Sequence, residues 1–193
     1  MANSEVHPQG WISVLISERH EERAKQIRAE RDRQYGNIYT EAETDERWVG
    51  DLGEMAFNSW FKHEGIQNFQ WILDDAAGQP DFVTELNTRI GVKTVKRKVP
   101  PRETYTAQIT ARHTEEPIDQ FFFMSYELSK RRMWLLGGIK RTRFLQEARY
   151  YSAGEWVHKD YQIRQGHEIY NIEIEKLTQP KLWLEYVARG IDK

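Results

Sequence analysis

The segment PDFVTELNTRIGVKT, residues 80–94, carries an acid and a lysine in a pattern suited to phosphodiester hydrolysis. Asp81 follows a proline, and Lys93 lies in a later strand-like stretch. Carboxylates bind hard divalent cations, and a lysine beside such a cation can orient water or stabilise departing charge. Residues two apart on a strand share a face, so Gly91 occupies the position where a second acid would fit.

Glu54, in the stretch VGDLGEMAF, is another acid that could join this site. The adjacent Gly50 and Gly53 permit close approach of a helix to a sheet. The helix is expected to be buried, because apolar residues recur at helical spacing: Trp48, Leu52, Met55, Ala56, Phe57 and Trp60. A carboxylate on a buried helix needs an ionic partner or a metal ion, so Glu54 is expected to have one.

Two of these residues also have ordinary explanations when each is taken alone. An acid after a proline, such as Asp81, is common in turns. Lys93 alternates with apolar Ile90 and Val92, a pattern typical of the solvent face of a half-buried strand. The combination of Glu54, Asp81 and Lys93 in this order favours a shared site over the separate explanations.

Two helices are predicted ahead of the main sheet. Residues 17–35 are charged nearly all round, and Ser17 can cap a helix that we expect to be a solvated surface element. The apolar periodicity of the following segment predicts a second helix that begins at Thr44 or Asp45 and ends at Gly65.

Strand-like segments dominate the rest of the chain. They lie at residues 68–73, 89–95, 104–111, 118–128 and 131–139, and polar residues between the last two predict a hairpin. A short helix at 140–151, a strand at 167–177 and a closing helix at 179–190 follow. The predicted order begins with helices and continues with a mostly antiparallel sheet and further helices. This order indicates a mixed α/β fold.

These motifs, in this order, resemble the PD-(D/E)XK nuclease superfamily, the restriction-endonuclease-like proteins, and especially its small phage and prokaryotic members. The resemblance spans residues 45–148, and FFFMSYELSKRRMWLLGGIKRTRFLQEA is similar to the hairpin, glycine and short helix of that family. It implies an α/β fold with a central mixed sheet flanked by helices. We expect one domain over residues 1–193: an N-terminal extension with the charged helix at 1–43, a core at 44–148, and a C-terminal strand and helix at 149–193.

The resemblance implies hydrolysis of DNA phosphodiester bonds with Mg²⁺ or Mn²⁺ as cofactor. By the same resemblance, Asp81, Glu54 and the backbone carbonyl of Val92 would hold the metal ion. Lys93 would orient the attacking water or stabilise charge. Gln108 matches a place where many members carry a glutamine or lysine beside the site.

Gly91 stands where the family has its second acid. Three replacements are conceivable: Glu54 as a full ligand, Glu85 from the connecting turn, or Gln108 from the neighbouring strand. We expect Glu54 to compensate and Gln108 to contact phosphate or support the ligands. The alternative is a catalytically inactive module of the same fold that binds nucleic acid or a protein partner, and a third hypothesis is a purely structural accessory protein.

The formal net charge of −2 at pH 7 gives the chain no overall cationic field. A DNA backbone would therefore need local basic residues. Lys96, Arg97, Lys98 and Arg102 follow the predicted site and indicate either a phosphate-binding strip or an ordinary solvated surface. Since restriction-type members often dimerise, a homodimer is one arrangement that the resemblance allows.

The chain contains no cysteine, which excludes structural disulfides and cysteine-based zinc sites. Its six histidines show no ligand spacing on one helix. The start of the sequence lacks the pattern of a signal peptide, and no apolar run reaches membrane-spanning length. From the sequence we expect a cytoplasmic protein that does not bind membranes.

Overall fold

The computed structural model describes residues 5–36, 46–73 and 78–190, and within these ranges the chain forms four α-helices and twelve β-strands. The helices are α1 (Glu18–Tyr35), α2 (Trp48–His63), α3 (Arg141–Glu147) and α4 (Pro180–Val187). The strands are β1 (Glu5–Val6), β2 (Ile12–Leu15), β3 (Phe69–Trp71), β4 (Phe82–Thr84), β5 (Arg89–Arg97), β6 (Thr106–Thr110), β7 (Gln120–Glu127), β8 (Arg132–Lys140), β9 (Arg149–Tyr151), β10 (Trp156–His158), β11 (Tyr161–Gln162) and β12 (Ile169–Glu173).

The main sheet has seven strands in the order β1-β2-β8-β7-β5-β4-β3. β5 and β7 run parallel, from the pair Ile90–Gln120 to the pair Arg97–Glu127, whereas the other pairs in this sheet are antiparallel. A parallel pair requires a crossover connection, which β6 and the 3₁₀ turn Ala111–Thr114 provide. The predicted mixed α/β fold with a mixed central sheet is therefore confirmed.

Helix α2 packs against one face of this sheet, where aromatic side chains form the core. Phe57 of α2 contacts Phe82 of β4, Phe122 of β7 and Trp183 of α4, with ring centroids 4.8, 5.0 and 6.1 Å away. Gly53 permits this close packing, because a Cβ atom there would lie 1.8 Å from the hydroxyl oxygen of Thr94. The predicted helix start at Thr44 or Asp45 lies outside the described residues.

A second, three-stranded antiparallel sheet, in the order β6-β12-β9, covers the opposite face with α3. Its buried side chains, including Ile109 and Ile172, pack with Phe121, Phe123 and Phe144. The prediction that the strand of Gln108 neighbours the strand of Lys93 was wrong, because β6 pairs with β12 instead. Two consecutive prolines, Pro100 and Pro101, follow β5 and interrupt strand pairing there, and β7 takes the position beside β5.

The hairpin predicted between the fourth and fifth strand-like segments is confirmed as β7–β8. The predicted helix at 140–151 was too long: α3 ends at Glu147, and Arg149–Tyr151 forms β9. Within the described ranges, no helix combines the length and the apolar character that crossing a membrane requires.

Candidate active site

A cleft of about 410 Å³ lies at the edge of β5, between the α1–α2 helix pair and the second sheet. β4 pairs with β5 only at Arg89 and Ile90, so β4 does not cover the edge that continues beyond Ile90. The cleft is lined by the residues that the sequence singled out for chemistry: Glu54, Asp81, Val92, Lys93 and Gln108. The fold therefore brings together residues of helix α2, the main sheet and the second sheet that are up to 54 positions apart in the chain.

Asp81 immediately precedes β4 in the chain and lies beside the point where the open edge of β5 begins. Its backbone N–H donates to the carbonyl of Ile90 at 2.9 Å, and its Oδ2 accepts the backbone N–H of Val92 at 2.6 Å. The N–H and C=O of a strand residue point to the same side, so the Val92 carbonyl faces the same edge. One carboxylate and one backbone carbonyl are thus directed toward the cleft from neighbouring chain segments.

The carboxyl of Asp81 lies in an environment that disfavours its charge. Burial raises its pKa to about 7, and the negative charges of Glu54 and Glu116 add to the shift, while Lys93 and the Val92 N–H oppose it. Negative charge around Asp81 is therefore only partly balanced by the protein. A cation bound at this edge would favour the charged form of Asp81.

Lys93 points into the cleft from the face of β5 that it shares with Gly91. Its side chain is 18% exposed, and its Nζ lies 3.7 Å from Oε2 of Glu116. Oε1 of Glu116 lies 3.8 Å from Nε2 of His113. Burial, with Lys93 nearby, lowers the pKa of His113 to about 2, so this histidine is neutral near pH 7.

Sequence reasoning missed Glu116, which lies in a polar stretch that reads as an ordinary loop. The sequence offered one indication of the importance of Glu116, which is that this residue lies just ahead of an apolar strand. With Ile90 opposite Gln120, the segment that enters β7 lies near the start of β5, and Ile118 of that segment lies against Gly91. Without that pairing, nothing in the sequence places Glu116 near Lys93.

Glu54 is held by two partners. Nη1 and Nη2 of Arg31 donate to its two carboxylate oxygens at 2.9 and 3.0 Å, and Nε1 of Trp71 donates to Oε2 at 3.0 Å. Arg31 also donates to Asp51 at 2.7 Å, and Arg28 donates to Asp51 at the same distance. Burial raises the pKa of Asp51 to about 6, and Arg28 opposes this shift.

The expectation that α1 is only a solvated surface helix was therefore wrong for one of its faces. Arg28 and Arg31 project from α1 into the space beside α2, where Asp51 is fully buried and Glu54 is 6% exposed. Two arginines opposite two acids form a balanced ionic network. The predicted need of Glu54 for a partner is met by Arg31.

Of the remaining predicted residues, Gln108 lines the cleft and Glu85 does not. Glu85 is exposed in the β4–β5 turn, where it accepts a hydrogen bond from Asn68, and it does not line the cleft. Gln108 faces the cleft from the second sheet, directly opposite Asn171 on β12. Oδ1 of Asn171 is buried and has no hydrogen-bond partner among the described residues.

The basic residues after β5 do not form one strip. Lys96 lines the cleft and pairs with Glu46 at 2.9 Å. Arg97 lies over the ring of Tyr105 and donates to the carbonyl of Thr106, so it links β5 to the second sheet. The other two, Lys98 and Arg102, are exposed on the connection that follows.

The oxygen donors of the cleft fit one type of divalent-cation site. Within the described ranges, no three acidic or histidine side chains are grouped closely enough to form a closed metal cage. Mg²⁺ commonly binds through one or two carboxylates, with waters and substrate phosphates completing its shell. Asp81 and the carbonyl of Val92, on an open strand edge, match that open arrangement.

The cleft thus combines hard oxygen donors, a lysine ammonium and an amide side chain around one open strand edge. No protein-family model matches the sequence, and no curated protein matches it. The functional inference therefore depends on the geometry and charge of the cleft. These groups suit chemistry on a phosphate ester, in which negative charge must be held and a water molecule oriented.

Proposed function

We propose that the protein is a divalent-cation-dependent nuclease with a restriction-endonuclease-like fold, which hydrolyses DNA phosphodiester bonds in the cleft at the edge of β5. The convergence of Asp81, the Val92 carbonyl and Lys93 on that edge carries the proposal. Their order along the chain, after the helix that bears Glu54, supports the resemblance to PD-(D/E)XK nucleases.

In this proposal, each group of the edge has a separate task. Asp81 and the Val92 carbonyl would hold Mg²⁺ or Mn²⁺, which would supply a Lewis acid for activating water and neutralising phosphate charge. The Lys93 ammonium donates a hydrogen bond to the attacking water or to the departing oxygen. Gln108, on the facing wall, donates its side-chain amide to a phosphate oxygen.

The overall reaction is hydrolysis at phosphorus. The oxygen of water forms a bond to phosphorus, and one bond between phosphorus and a sugar oxygen breaks. The departing oxygen takes up a proton and becomes a hydroxyl, while the other product keeps a phosphate monoester. No oxidant, reductant or organic cofactor is needed for this balance.

Positive groups for the DNA backbone lie at the cleft, although the net charge of the chain is −2. Arg28, Arg47 and Lys96 line its walls, and ion pairs hold them next to Asp51, Asp32 and Glu46. A phosphate backbone would compete with the partly exposed pairs of Arg47 and Lys96, and the resulting affinity should fall with salt concentration.

One observation favours the alternative, a catalytically inactive module of the same fold that binds nucleic acid or a protein partner. Both oxygens of Glu54 are engaged by Arg31 and Trp71, and Gly91 offers no carboxylate. Such a module would retain DNA in a salt-sensitive manner without cutting it.

A plasmid-nicking assay in Mg²⁺ or Mn²⁺ separates the two functions. The wild-type protein should nick, and Lys93→Ala should reduce nicking at least a hundredfold while its thermal unfolding stays close to that of the wild type. Lys62→Ala, at an exposed position on α2 outside the cleft, is the matched control and should cut normally. Equal nicking by Lys93→Ala and wild type would reject the nuclease assignment, and DNA retention without nicking would favour the binding module.

A further inference from the structure

The position of the missing acid lies against the side chain of Ile118. A Cβ atom built on Gly91 would lie 2.6 Å from Cδ1 of Ile118, the end of a side chain that can move, so a larger residue would require Ile118 to shift. Gly91 and Lys93 share one face of β5, and Ile118, in the segment that leads into β7, lies against that face. The glycine therefore leaves room for this segment.

The segment that leads into β7 also brings a carboxylate, that of Glu116, to the site. Glu116 is two residues ahead of Ile118, its side chain is 9% exposed, and its Oε2 lies 3.7 Å from the Nζ of Lys93. Glu116 lines the same cleft as Asp81 and Val92. The parallel register pairs Gln120, the first residue of β7, with Ile90, so the segment that carries Glu116 and Ile118 enters β7 near the start of β5.

We propose that Glu116 supplies the carboxylate that position 91 lacks and that it binds a divalent cation together with Asp81 and the carbonyl of Val92. The inference rests on the proposed function of the cleft and adds a residue to it. Two carboxylates and one carbonyl give the oxygen ligands that Mg²⁺ and Mn²⁺ take in open sites, with water and phosphate filling the remainder.

Glu116 fits this role better than Glu54 does. Glu54 shares Arg31 with the fully buried Asp51, so withdrawing Glu54 to a metal ion would disturb a balanced ionic network. Glu116 instead lies beside Lys93, a group of the proposed reaction, and beside the neutral His113. Binding of a cation by Glu116 would leave the hydrogen bonds between Arg31 and Glu54 in place.

Calorimetric titration with Mn²⁺, in the absence of DNA, tests the assignment without measuring activity. Glu116→Gln should weaken Mn²⁺ binding at least tenfold relative to wild type. Asp81→Asn is the positive control and should weaken binding as much or more. Glu115→Gln, a change at the exposed neighbouring residue, is the matched control and should bind like the wild type.

The outcomes separate the two proposals. If the wild type binds Mn²⁺ and Glu116→Gln binds it equally well, the role of Glu116 is rejected while the nuclease proposal stands. If the wild type binds no Mn²⁺, both proposals fail. If Glu116→Gln does not fold, Glu116→Asp provides the test, because it keeps the charge and retracts it by one methylene. The aspartate variant should bind several-fold more weakly, and unchanged affinity would overturn the inference.

Discussion

The two walls of the cleft hold buried acids beside different cations. On the helix side, Asp51 and Glu54 are met by Arg28 and Arg31 through hydrogen bonds of 2.7–3.0 Å. On the sheet side, Asp81 and Glu116 lie near Lys93, and burial together with the neighbouring acids raises the pKa of Asp81 to about 7. Burial also raises the pKa of Asp51, to about 6, so the walls differ in the hydrogen-bonded partners of their acids and not in the direction of the pKa shift.

Under the proposed function, this difference separates a structural role from a functional one. A buried acid with guanidinium partners fixes the position of two elements, here α1 against α2. Burial of the charged form of Asp81 costs stability, and such a cost is expected where a site takes a charged ligand. Variants of both walls test this contrast.

The largest effect on stability is expected from Arg31→Met. The substitution removes the guanidinium that binds Asp51 and Glu54 and leaves both acids buried with fewer partners. Breaking one side of a buried ionic network costs about 3–5 kcal/mol. Urea unfolding at pH 7 should therefore show a loss of about that size.

The matched control is Arg19→Met, at an exposed position on the same helix. Surface substitutions of this kind change stability by about 0.5 kcal/mol or less. If Arg31→Met costs no more than Arg19→Met, the helix-side acids do not depend on the network, and the contrast between the two walls is lost.

A smaller effect is expected from Gly53→Ala, which tests how closely α2 must approach β5. The new Cβ would lie 1.8 Å from Oγ1 of Thr94, so the helix must move away from the strand that bears Lys93. Overpacking of this kind costs about 1–3 kcal/mol. Gly50→Ala is the control: a Cβ there meets nothing within 4 Å, and alanine should stabilise the helix by about 0.5–1 kcal/mol. If both alanines raise the unfolding midpoint, close helix–strand contact is not required.

The fold class could be predicted from the sequence because local patterns determine it. The apolar spacing from Trp48 to Trp60 marks α2, and the polar break at 129–132 marks the β7–β8 hairpin. The second sheet could not be predicted, because the partner of β6 is β12, some 60 residues later, and no local pattern records that pairing. Very short strands such as β4, with three residues, likewise give little periodic signal.

The same limit applies to the site. Asp81 and Lys93 could be found because proline, strand alternation and motif order are local features of the sequence. Arg31 and Glu116 could not, because each reaches the cleft through tertiary packing, one across the α1–α2 contact and the other through the β5–β7 register. A charged helix and a polar loop give no sign of which of their residues will be buried.

Compared with Arg31→Met and Gly53→Ala, Asp81→Asn should change stability the least, and it should stabilise the protein where the other two destabilise it. Folding raises the pKa of Asp81 from 3.8 to about 7, so the folded state favours the protonated acid. The associated stability is fully present below about pH 4 and is lost as the pH rises to about 7. Asparagine imitates the neutral acid and can still accept the N–H of Val92. The shift from 3.8 to about 7 corresponds to about 4 kcal/mol, but asparagine buries an amide NH₂ in place of a carboxyl oxygen, which offsets part of the gain. In metal-free buffer at pH 8, Asp81→Asn should therefore raise the free energy of unfolding by about 1–2 kcal/mol.

The pH dependence of this gain in the free energy of unfolding distinguishes an effect of titration from an effect of packing. The difference between Asp81→Asn and wild type should be small at pH 4, grow until about pH 7 and then stay constant, and Mn²⁺ should reduce it by stabilising the wild type alone. Asp119→Asn is the control, because the hydrogen bond from Arg89 lowers the pKa of Asp119 and the loss of that carboxylate should destabilise slightly. If Asp81→Asn is instead less stable than wild type at pH 8, the sheet-side wall holds its acid as favourably as the helix-side wall does. Asp81 would then be a structural residue, because its charge would be stabilised by the protein without any cation.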